Sequence, residues 1–257
     1  MPHTIYCQQQ FASPHIPSTT YYLLKFDYMS KPLVIAHRGD SSRALENSIE
    51  AFRLALAAPV DMIEFDVRKS RDNVLYVMHD KETGRTADGN IDIERSTSDE
   101  IARIKLRNGE PVPTLAEALA FVAGRAGVNI EIKSEGAGGL TAAHLAGSGY
   151  RGSLLLSSFH EREVLDARRI MPDVPVSGIF DVFAPSGVSA YRAKGYRHIS
   201  LNRKAVTREL IERCRKVGIS VYVWTVDDEE EMKKLISWGV DGIYSNKPGL
   251  LRTVVGQ

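Results

Sequence analysis

Short runs of apolar and β-branched residues alternate with segments of helical period along most of this chain. Segments near 47–58, 114–123, 139–147, 161–170, 186–194, 207–217 and 227–238 have helical spacing. Strands that alternate with crossover helices lie parallel in one sheet. Eight such strands predict an α/β fold, the closed (β/α)8 TIM barrel. The eight runs are LVIAH (33–37), DMIEFDV (61–67), VNIEIK (128–133), SLLLSSF (153–159), VPVSGIF (174–180), RHISLN (197–202), ISVYVWTV (219–226) and DGIYSN (241–246).

One segment departs from the alternation. Only six residues separate the second run from VLYVM (74–78), which is too few for a crossover helix. Residues 74–78 are therefore expected to fold back as an antiparallel hairpin, which returns His79 to the barrel mouth near Asp66. The polar stretch that follows, residues 80–112, has short helical hints around 97–105 and is expected to form a small cap over the mouth.

The helix after the first strand carries agreeing start and stop signals. Asn47 is predicted to cap it, with Glu50 at the third helical position and Pro59 just beyond its end. Ile49 and Phe52 share its apolar face. The sequence thus predicts a regular helix at this position.

The domain organisation follows from where the periodic pattern begins. Residues 1–29 carry no sustained period and are expected to be an irregular N-terminal extension. Residues 30–257 are expected to form one barrel domain, since a length near 250 residues suits a single barrel.

Charge and composition exclude several classes of protein. The chain has 33 Lys and Arg against 32 Asp and Glu, so its net charge of +1 gives no general field for nucleic acid or an anionic membrane. No stretch reaches the roughly 18 apolar residues that cross a bilayer. The two cysteines, Cys7 and Cys214, form no disulfide or metal framework, and we expect a cytoplasmic protein.

Polar side chains stand at the carboxyl ends of several predicted strands, where barrels place their chemistry. Glu64 and Asp66 are two residues apart and project to the same face of a strand. Glu131 and Lys133 repeat this spacing on the next barrel strand. The candidates are His37 and Arg38 after the first strand, Glu64 and Asp66 on the second, Glu131 and Lys133 on the third, and Trp224 on the seventh.

Three converging carboxylates predict a metal site. We expect no basic residue between Glu64, Asp66 and Glu131, so their mutual repulsion and desolvation would cost several kcal/mol each unless a cation neutralised them. Carboxylate oxygens suit Mg²⁺ or Ca²⁺ better than zinc. The alternative is that each carboxylate pairs with Arg or Lys inside a polar barrel end.

Two histidines and two bases flank the carboxylates. His37 and His79 can serve as general acid and general base near neutral pH, in either order. Arg38 and Lys133 are predicted to bind a tetrahedral anion such as phosphate, although Arg38 could instead pair with Glu64 or Asp66. Glu46 either orients these groups or is a solvated loop acid.

The motifs as a set resemble the glycerophosphodiester phosphodiesterases, in particular the compact bacterial cytoplasmic kind. The resemblance runs in order from Leu33 to Pro248. One departure is Leu45, where that family usually has proline. The matching motifs are His37-Arg38-Gly39, LENS (45–48), IEFDV (63–67), MHD (78–80), PVPTLAEAL (111–119), IEIK (130–133), SSF (157–159), VWTVD (223–227) and WGVDGIYSN (238–246).

The resemblance implies metal-dependent hydrolysis of small glycerophosphodiesters to glycerol 3-phosphate and an alcohol. It implies that His37 and His79 are the acid and base, and that Arg38 and Lys133 contact the phosphate. It also implies a divalent cation, Mg²⁺ or Ca²⁺, on Glu64, Asp66 and Glu131. Trp224 is expected to line the glycerol side of the site or, alternatively, to be a buried barrel residue.

Two other functions are weighed against this one. A phospholipase-type phosphodiesterase on the same barrel would need an exposed apolar rim, whereas residues 80–112 are strongly polar. A catalytically idle barrel that only binds phosphodiesters would be expected to lack a histidine or a carboxylate, and none is missing here. The sequence therefore favours a small diester as substrate, without insertion into a membrane.

Overall fold

The structure, a computed structural model, describes residues 31–256, so the predicted extension over residues 1–29 lies outside the described residues. Every β-rich run identified in the sequence is a strand. Eight parallel strands close into a barrel because β1 pairs with both β2 and β9. The strands are β1 Leu33–His37, β2 Met62–Lys69, β3 Leu75–Val77, β4 Gly127–Ile132, β5 Leu154–Ser158, β6 Val176–Phe180, β7 His198–Asn202, β8 Ser220–Trp224 and β9 Gly242–Ser245.

Helices connect the barrel strands and surround them. All seven segments of helical period are helices, and a further helix, α9, follows the last strand. Within residues 31–256 no helix is long and apolar enough to cross a membrane. The helices are α1 Ile49–Ala57, α2 Ser98–Ile101, α3 Leu115–Val122, α4 Gly138–Ser148, α5 Glu161–Ile170, α6 Val188–Ala193, α7 Arg208–Lys216, α8 Glu229–Trp238 and α9 Pro248–Gly256, with 3₁₀ turns at Thr83–Arg85 and Pro185–Gly187.

The hairpin at the second strand is confirmed. Strand β3 runs antiparallel to β2, with Val67 opposite Val77. Just beyond the hairpin, the backbone N–H of Met78 donates to the carbonyl oxygen of Asp66 at 3.1 Å. This hydrogen bond brings His79 back beside the carboxyl end of β2.

Successive side chains along each strand point alternately toward the surrounding helices and toward the interior of the barrel. Phe65 projects outward from β2 and packs against Phe52 of α1, with ring centroids 5.5 Å apart. Glu64 and Asp66 project inward. His37 lies opposite Glu64 in the pairing of β1 with β2, and Asp66 lies opposite Glu131 in the pairing of β2 with β4. Register alone therefore places the candidate residues side by side.

The predicted cap of the first helix is wrong by one residue. Ser48 is the N-cap, and its hydroxyl accepts from the N–H of Ala51 at 3.0 Å. Asn47 instead adopts a left-handed conformation with φ 57° and is buried. Its amide turns away from the helix because Asp66 offers a buried carboxylate acceptor.

Residues 80–112 pack beside the mouth on a small apolar core that they share with Tyr76 of β3 and Met78. Six buried side chains form this core, and the helical hint at 97–105 becomes a single turn, α2, closed by a capping box between Thr97 and Glu100. The insertion is thus anchored by apolar contacts that the barrel core does not share. The six residues are Tyr76, Met78, Ile93, Ile101, Leu106 and Val112.

A buried carboxylate joins α4 to α5. Glu163 is 1% exposed and accepts from the backbone N–H groups of Gly136 at 2.8 Å and Gly138 at 2.7 Å. The two helices approach so closely that a Cβ atom at Gly138 would overlap the carbonyl group of Glu163. The same added atom at Gly139 would meet open space. Neighbouring glycines therefore differ sharply in what they tolerate.

We expect Gly138→Ala to lower the free energy of unfolding by at least about 1–3 kcal/mol, because the backbones must separate. Gly139→Ala is the matched control. It is expected to be neutral or to stabilise by up to about 1 kcal/mol, because alanine loses less conformational entropy in a helix. Urea denaturation of both variants measures the difference. Equal stabilities would show that α4 and α5 can shift apart without cost.

Candidate active site

A cavity of about 140 Å³ opens at the carboxyl ends of the strands. Seven of the eight candidate residues line it, and the eighth, Asp66, is fully buried in the adjoining wall. The polypeptide therefore gathers the candidates into one place. The lining residues are His37, Arg38, Glu64, His79, Asn129, Glu131, Lys133, Ser157, Phe159, Ile179, Ser200, Trp224 and Tyr244.

The three carboxylates form a compact cluster. One oxygen from each of Glu64, Asp66 and Glu131 lies within 4.8 Å of the others. All three residues are buried, and Oε1 of Glu64 has no hydrogen-bond partner among the described residues. A buried oxygen without a donor is costly in free energy, and a cation would satisfy it. Oxygen donors at this spacing fit a hard divalent cation.

The expectation that no base lies between the carboxylates is wrong. The Nζ atom of Lys133 is 3.2 Å from Oδ1 of Asp66 and also contacts Oε1 of Glu131. Lys133 follows Glu131 by two residues, so both side chains point into the barrel. The Nε atom of Arg38 lies 3.1 Å from Oδ2 of Asp66, which is the salt bridge considered as an alternative for that arginine.

Burial and charge set the protonation of the cluster. Burial, with the negative charges of its neighbours, raises the pKa of Glu64 well above its usual value. Burial and the charge of Asp66 raise the pKa of Glu131 to about 7, although Lys133 opposes this. For Asp66, burial would raise the pKa, but Lys133 and Arg38 together hold it far below its usual value. Negative charge thus concentrates on Asp66.

His37 is held in one tautomer. Its Nδ1 atom is 2.8 Å from Oδ1 of Asn246, whose own amide nitrogen donates to Asp227 at 2.7 Å. Because the amide oxygen can only accept, Nδ1 of His37 carries the proton and Nε2 is an acceptor. That Nε2 atom lies 4.0 Å from Oε2 of Glu64. Burial, reinforced by the charge of Arg38, lowers the pKa of His37 to about 4, so the ring is neutral at pH 7.

His79 is held by its neighbour in sequence. Its Nδ1 atom lies 2.7 Å from Oδ1 of Asp80, so this nitrogen donates and Nε2 is left for the cavity. Burial lowers the pKa of His79, and the charges of Arg38 and Lys133 add to that effect against the opposing charge of Asp66. Both imidazoles therefore reach the cavity neutral, each with an acceptor nitrogen.

The first loop is bent sharply to form one wall of the site. Arg38 has φ 56°, and its backbone N–H donates to Oε2 of Glu64 at 2.9 Å. Gly39 has φ 84°, and a Cβ atom there would overlap the backbone of Ala51. Glu46 accepts from Nη1 of Arg38 at 2.8 Å, so this acid orients the arginine rather than standing free in solvent.

Trp224, at the end of β8, forms another part of the wall. Its ring meets Phe159 edge-on at 5.7 Å between centroids, and its Nε1–H is buried without a hydrogen-bond partner in the part of the chain that the structure describes. The residue lines the cavity and also packs partly against the apolar cluster inside the barrel. An unpaired donor facing a cavity is available to a hydroxyl group of a ligand.

Two asparagines that hold candidate residues in place were missed from the sequence. Asn47 donates to Oδ2 of Asp66 at 2.8 Å, and Asn246 holds His37. Asn246 directly follows the last barrel strand, so the strand-end argument could have identified it. Asn47 gave no such signal, because an asparagine before a helix reads as a cap.

The cavity floor is a neutral hydrogen-bond network. Asn129 donates to the hydroxyl of Tyr244 at 3.0 Å and accepts from Ser157 at 3.0 Å. Ser200 lies 3.2 Å from the same tyrosine hydroxyl. The floor thus offers dipoles but no charge beneath the carboxylates.

Residues 37–250 match the family described as glycerophosphoryl diester phosphodiesterase. The chain belongs to this family. The match includes every residue that lines the cavity. Family membership, the barrel and the cavity agree with the resemblance noted in the sequence motifs.

The sequence of this chain matches named relatives over most of their length. A glycerophosphodiester phosphodiesterase of Caldanaerobacter subterraneus is 33% identical over 239 residues, which cover 88% of this chain and 98% of that protein. One from Bacillus subtilis is 25% identical over 251 residues, covering 86% of each.

Solved structures share the fold. A glycerophosphodiester phosphodiesterase of Agrobacterium tumefaciens superposes with a TM-score of 0.77 at 29% identity, covering 86% of this chain and 99% of that one. A phosphodiesterase of Oleispira antarctica, in complex with the product sn-glycerol-3-phosphate, has a TM-score of 0.82 at 24% identity, covering 88% and 97%. The second likeness is evidence for the fold alone.

The raised pKa of Glu131 gives the cation-free protein a pH-dependent stability. The carboxyl binds its proton more tightly in the folded state, where its pKa is about 7 against the ordinary glutamate value of 4.5. Its contribution to stability is therefore present at low pH and is lost as the pH rises from about 4.5 through 7. The side chain of Glu131→Gln stays neutral at every pH. In EDTA, we therefore expect the free energy of unfolding of this variant to rise relative to that of the native chain as the pH increases through this range, by on the order of 2–3 kcal/mol.

Urea denaturation of both proteins at about pH 5 and about pH 7.5 measures this gain. Comparing the two proteins removes the opposing contribution of His37, whose lowered pKa makes stability rise with pH in both. Added Mg²⁺ or Ca²⁺ is expected to stabilise the native chain more than the variant. The same difference at both pH values would mean that Glu131 titrates normally.

Proposed function

We propose that this chain hydrolyses glycerophosphodiesters to glycerol 3-phosphate and an alcohol. The observation that carries the proposal is a pair of neutral imidazoles, His37 and His79, facing one cavity beside a carboxylate cluster. Membership of the glycerophosphoryl diester phosphodiesterase family supports the same substrate class. A small soluble diester is the proposed partner, with the cytoplasm as its location.

Arg38 and Lys133 are proposed to bind the phosphate group. Both line the cavity, and both are already oriented by carboxylates, Arg38 by Glu46 and Lys133 by Asp66. Oriented donors lose less entropy when they bind an anion. Arg38 presents a planar fork and Lys133 a single ammonium, which together suit a tetrahedral anion.

Glu64, Asp66 and Glu131 are proposed to hold a divalent cation, Mg²⁺ or Ca²⁺. When bound, such an ion supplies positive charge that polarises a phosphoryl oxygen. The unpartnered oxygen of Glu64 supports this proposal. Asn47 fixes Asp66 from behind through its amide, so the carboxylate keeps its orientation toward the cluster.

The two histidines are proposed to move the protons. His37, with its proton held on Nδ1 by Asn246, accepts the proton of the attacking hydroxyl at Nε2, whether that hydroxyl belongs to water or to the glycerol 2-position. His79 first takes up a proton from solvent at Nε2, forming an imidazolium that Asp80 stabilises, and then gives this proton to the leaving oxygen. With water, the new P–O bond forms as the P–O bond to the alcohol breaks, and glycerol 3-phosphate results directly. With the glycerol 2-hydroxyl, the same exchange gives a cyclic phosphate, and water then opens it by breaking the bond to the 2-oxygen. Trp224 donates its free N–H to a glycerol hydroxyl.

Turnover of glycerophosphocholine is the direct test. We expect release of glycerol 3-phosphate by the purified chain, loss of activity in EDTA, and recovery when Mg²⁺ or Ca²⁺ is restored. Activity that persists in EDTA would remove the cation from the proposal. A barrel that binds the diester without releasing any product would be the catalytically idle alternative.

Loss of either histidine tests the acid and base roles. His37→Ala and His79→Ala are each expected to lower kcat by about 10²–10⁴-fold, the usual contribution of a positioned proton-transfer group. His144→Ala is the matched control, because His144 lies on α4 outside the cavity. If either site variant stayed within about tenfold of the native chain, the proposed role of that histidine would be wrong.

One observation favours a second substrate class. Outside the polar insertion, two large apolar side chains are exposed, Phe159 at 43% and Val182 at 83%. Phe159 also borders a neighbouring cavity of about 240 Å³ lined by further aromatic rings, among them Phe180, Phe183 and Tyr191. A diester with one hydrocarbon chain would meet apolar surface here, as a phospholipase-type enzyme requires. Running the release assay with and without one acyl chain on glycerophosphocholine discriminates the two substrates.

A further inference from the structure

Arg85 lies in the insertion, at the end of the 3₁₀ turn Thr83–Arg85, and does not line the cavity. Its guanidinium nevertheless binds two carboxylates that come from different segments. Nη1 and Nη2 donate to the two oxygens of Glu46 at 2.9 and 2.6 Å, and Nε donates to Oδ2 of Asp80 at 2.5 Å. Three of its N–H donors are thus used on two acids.

Each of these acids holds a different candidate group with its remaining contact. Oδ1 of Asp80 binds Nδ1 of His79 at 2.7 Å, while Arg85 occupies Oδ2. Oε1 of Glu46 accepts from Nη1 of Arg38 at 2.8 Å as well as from Arg85. The arginine therefore reaches one histidine through Asp80 and one phosphate-binding base through Glu46.

The ionisation of Glu46 and Asp80 also favours their contacts with Arg85. Burial would raise the pKa values of Glu46 and Asp80, but hydrogen bonds from Arg85 and the adjacent positive charges hold both below their usual values. Both acids are consequently ionised and act only as acceptors. Without Arg85, each would keep one contact and gain rotational freedom, because a carboxylate held by a single hydrogen bond can turn about that bond.

We propose that Arg85 is a positioning residue that couples the insertion to the active site, orienting His79 through Asp80 and Arg38 through Glu46. The inference rests on the proposed function of that site. It gives the insertion a role in the site, since the insertion supplies the guanidinium group that holds His79 and Arg38 in place through two carboxylates.

Kinetic measurements separate the effect of Arg85 on His79 through Asp80 from its effect on Arg38 through Glu46. Asp80→Ala is expected to lower kcat with little change in KM, because it frees the proposed acid. Glu46→Ala is expected to raise KM, because it frees a phosphate-binding base. Arg85→Met is expected to do both, with a loss in kcat/KM of roughly 10- to 100-fold, the scale of a small misplacement of reacting groups. Arg85→Lys, with one ammonium group in place of the guanidinium, should recover only part of the kcat/KM that Arg85→Met loses.

Double variants establish the path of the effect. Adding Arg85→Met to Asp80→Ala should lower kcat no further, and adding it to Glu46→Ala should raise KM no further. In each double variant the carboxylate through which Arg85 acts is already absent. Additive losses would overturn the proposal, as would single-variant activity within about twofold of the native chain.

Arg107→Met is the matched control. Arg107 donates to the backbone carbonyls of Gly84 and Ala87 and so holds the same turn without touching Glu46 or Asp80. It is expected to leave kcat and KM near native values. If Arg107→Met reproduced the losses of Arg85→Met, Arg85 would matter only for the shape of the insertion.

A readout independent of turnover separates this inference from the proposed function. The Nδ1 proton of His79, bound to Asp80, should give a downfield imidazole resonance in the proton NMR spectrum, identified by its loss in His79→Ala. We expect it to broaden or vanish in Arg85→Met and to persist in Arg107→Met. A native chain that turns over no diester would refute the function and leave this test standing; an unchanged resonance in Arg85→Met would refute the positioning role of Arg85.

Discussion

The structure depends on keeping three carboxylates buried at one end of a barrel. Glu64, Asp66 and Glu131 can stay there because Lys133 and Arg38 lie among them. Two bases do not balance three ionised acids, so raised pKa values on the glutamates reduce the charge in the absence of an ion. The cluster can thus be buried without a cation, yet it retains an unsatisfied carboxylate oxygen, the kind of ligand that divalent cations prefer.

Strand periodicity made most of the fold and the centre of the site predictable. The two-residue spacing of Glu64 and Asp66 fixed their common face, and the six-residue gap before Val74 left a hairpin as the only sterically possible connection. These inferences need only local geometry. The parts that failed depend on contacts between distant segments: Asn47 was assigned to its helix because nothing local reveals that Asp66 is within reach.

The length of the arginine and lysine side chains explains why the sequence did not fix their partners. Arg and Lys extend far enough that sequence position does not determine their partner, so Arg38 was predicted to bind phosphate with a salt bridge to Glu64 or Asp66 as the alternative. The structure places it against Asp66 and Glu46 while its fork still borders the cavity. Arg85 lies in a segment without regular period, and its partner Glu46 is 39 residues away. Periodicity carries no information about such pairs.

The hydrogen bond from the N–H of Met78 to the carbonyl oxygen of Asp66 has a mechanical consequence. It attaches the segment carrying His79 to the same peptide unit that carries a carboxylate of the cluster. The position of His79 is therefore tied to the strand that carries Glu64 and Asp66. His37 is tied to the same strand in another way, because the pairing of β1 with β2 sets it opposite Glu64. Both histidines thus take their positions from β2, which carries two of the three carboxylates.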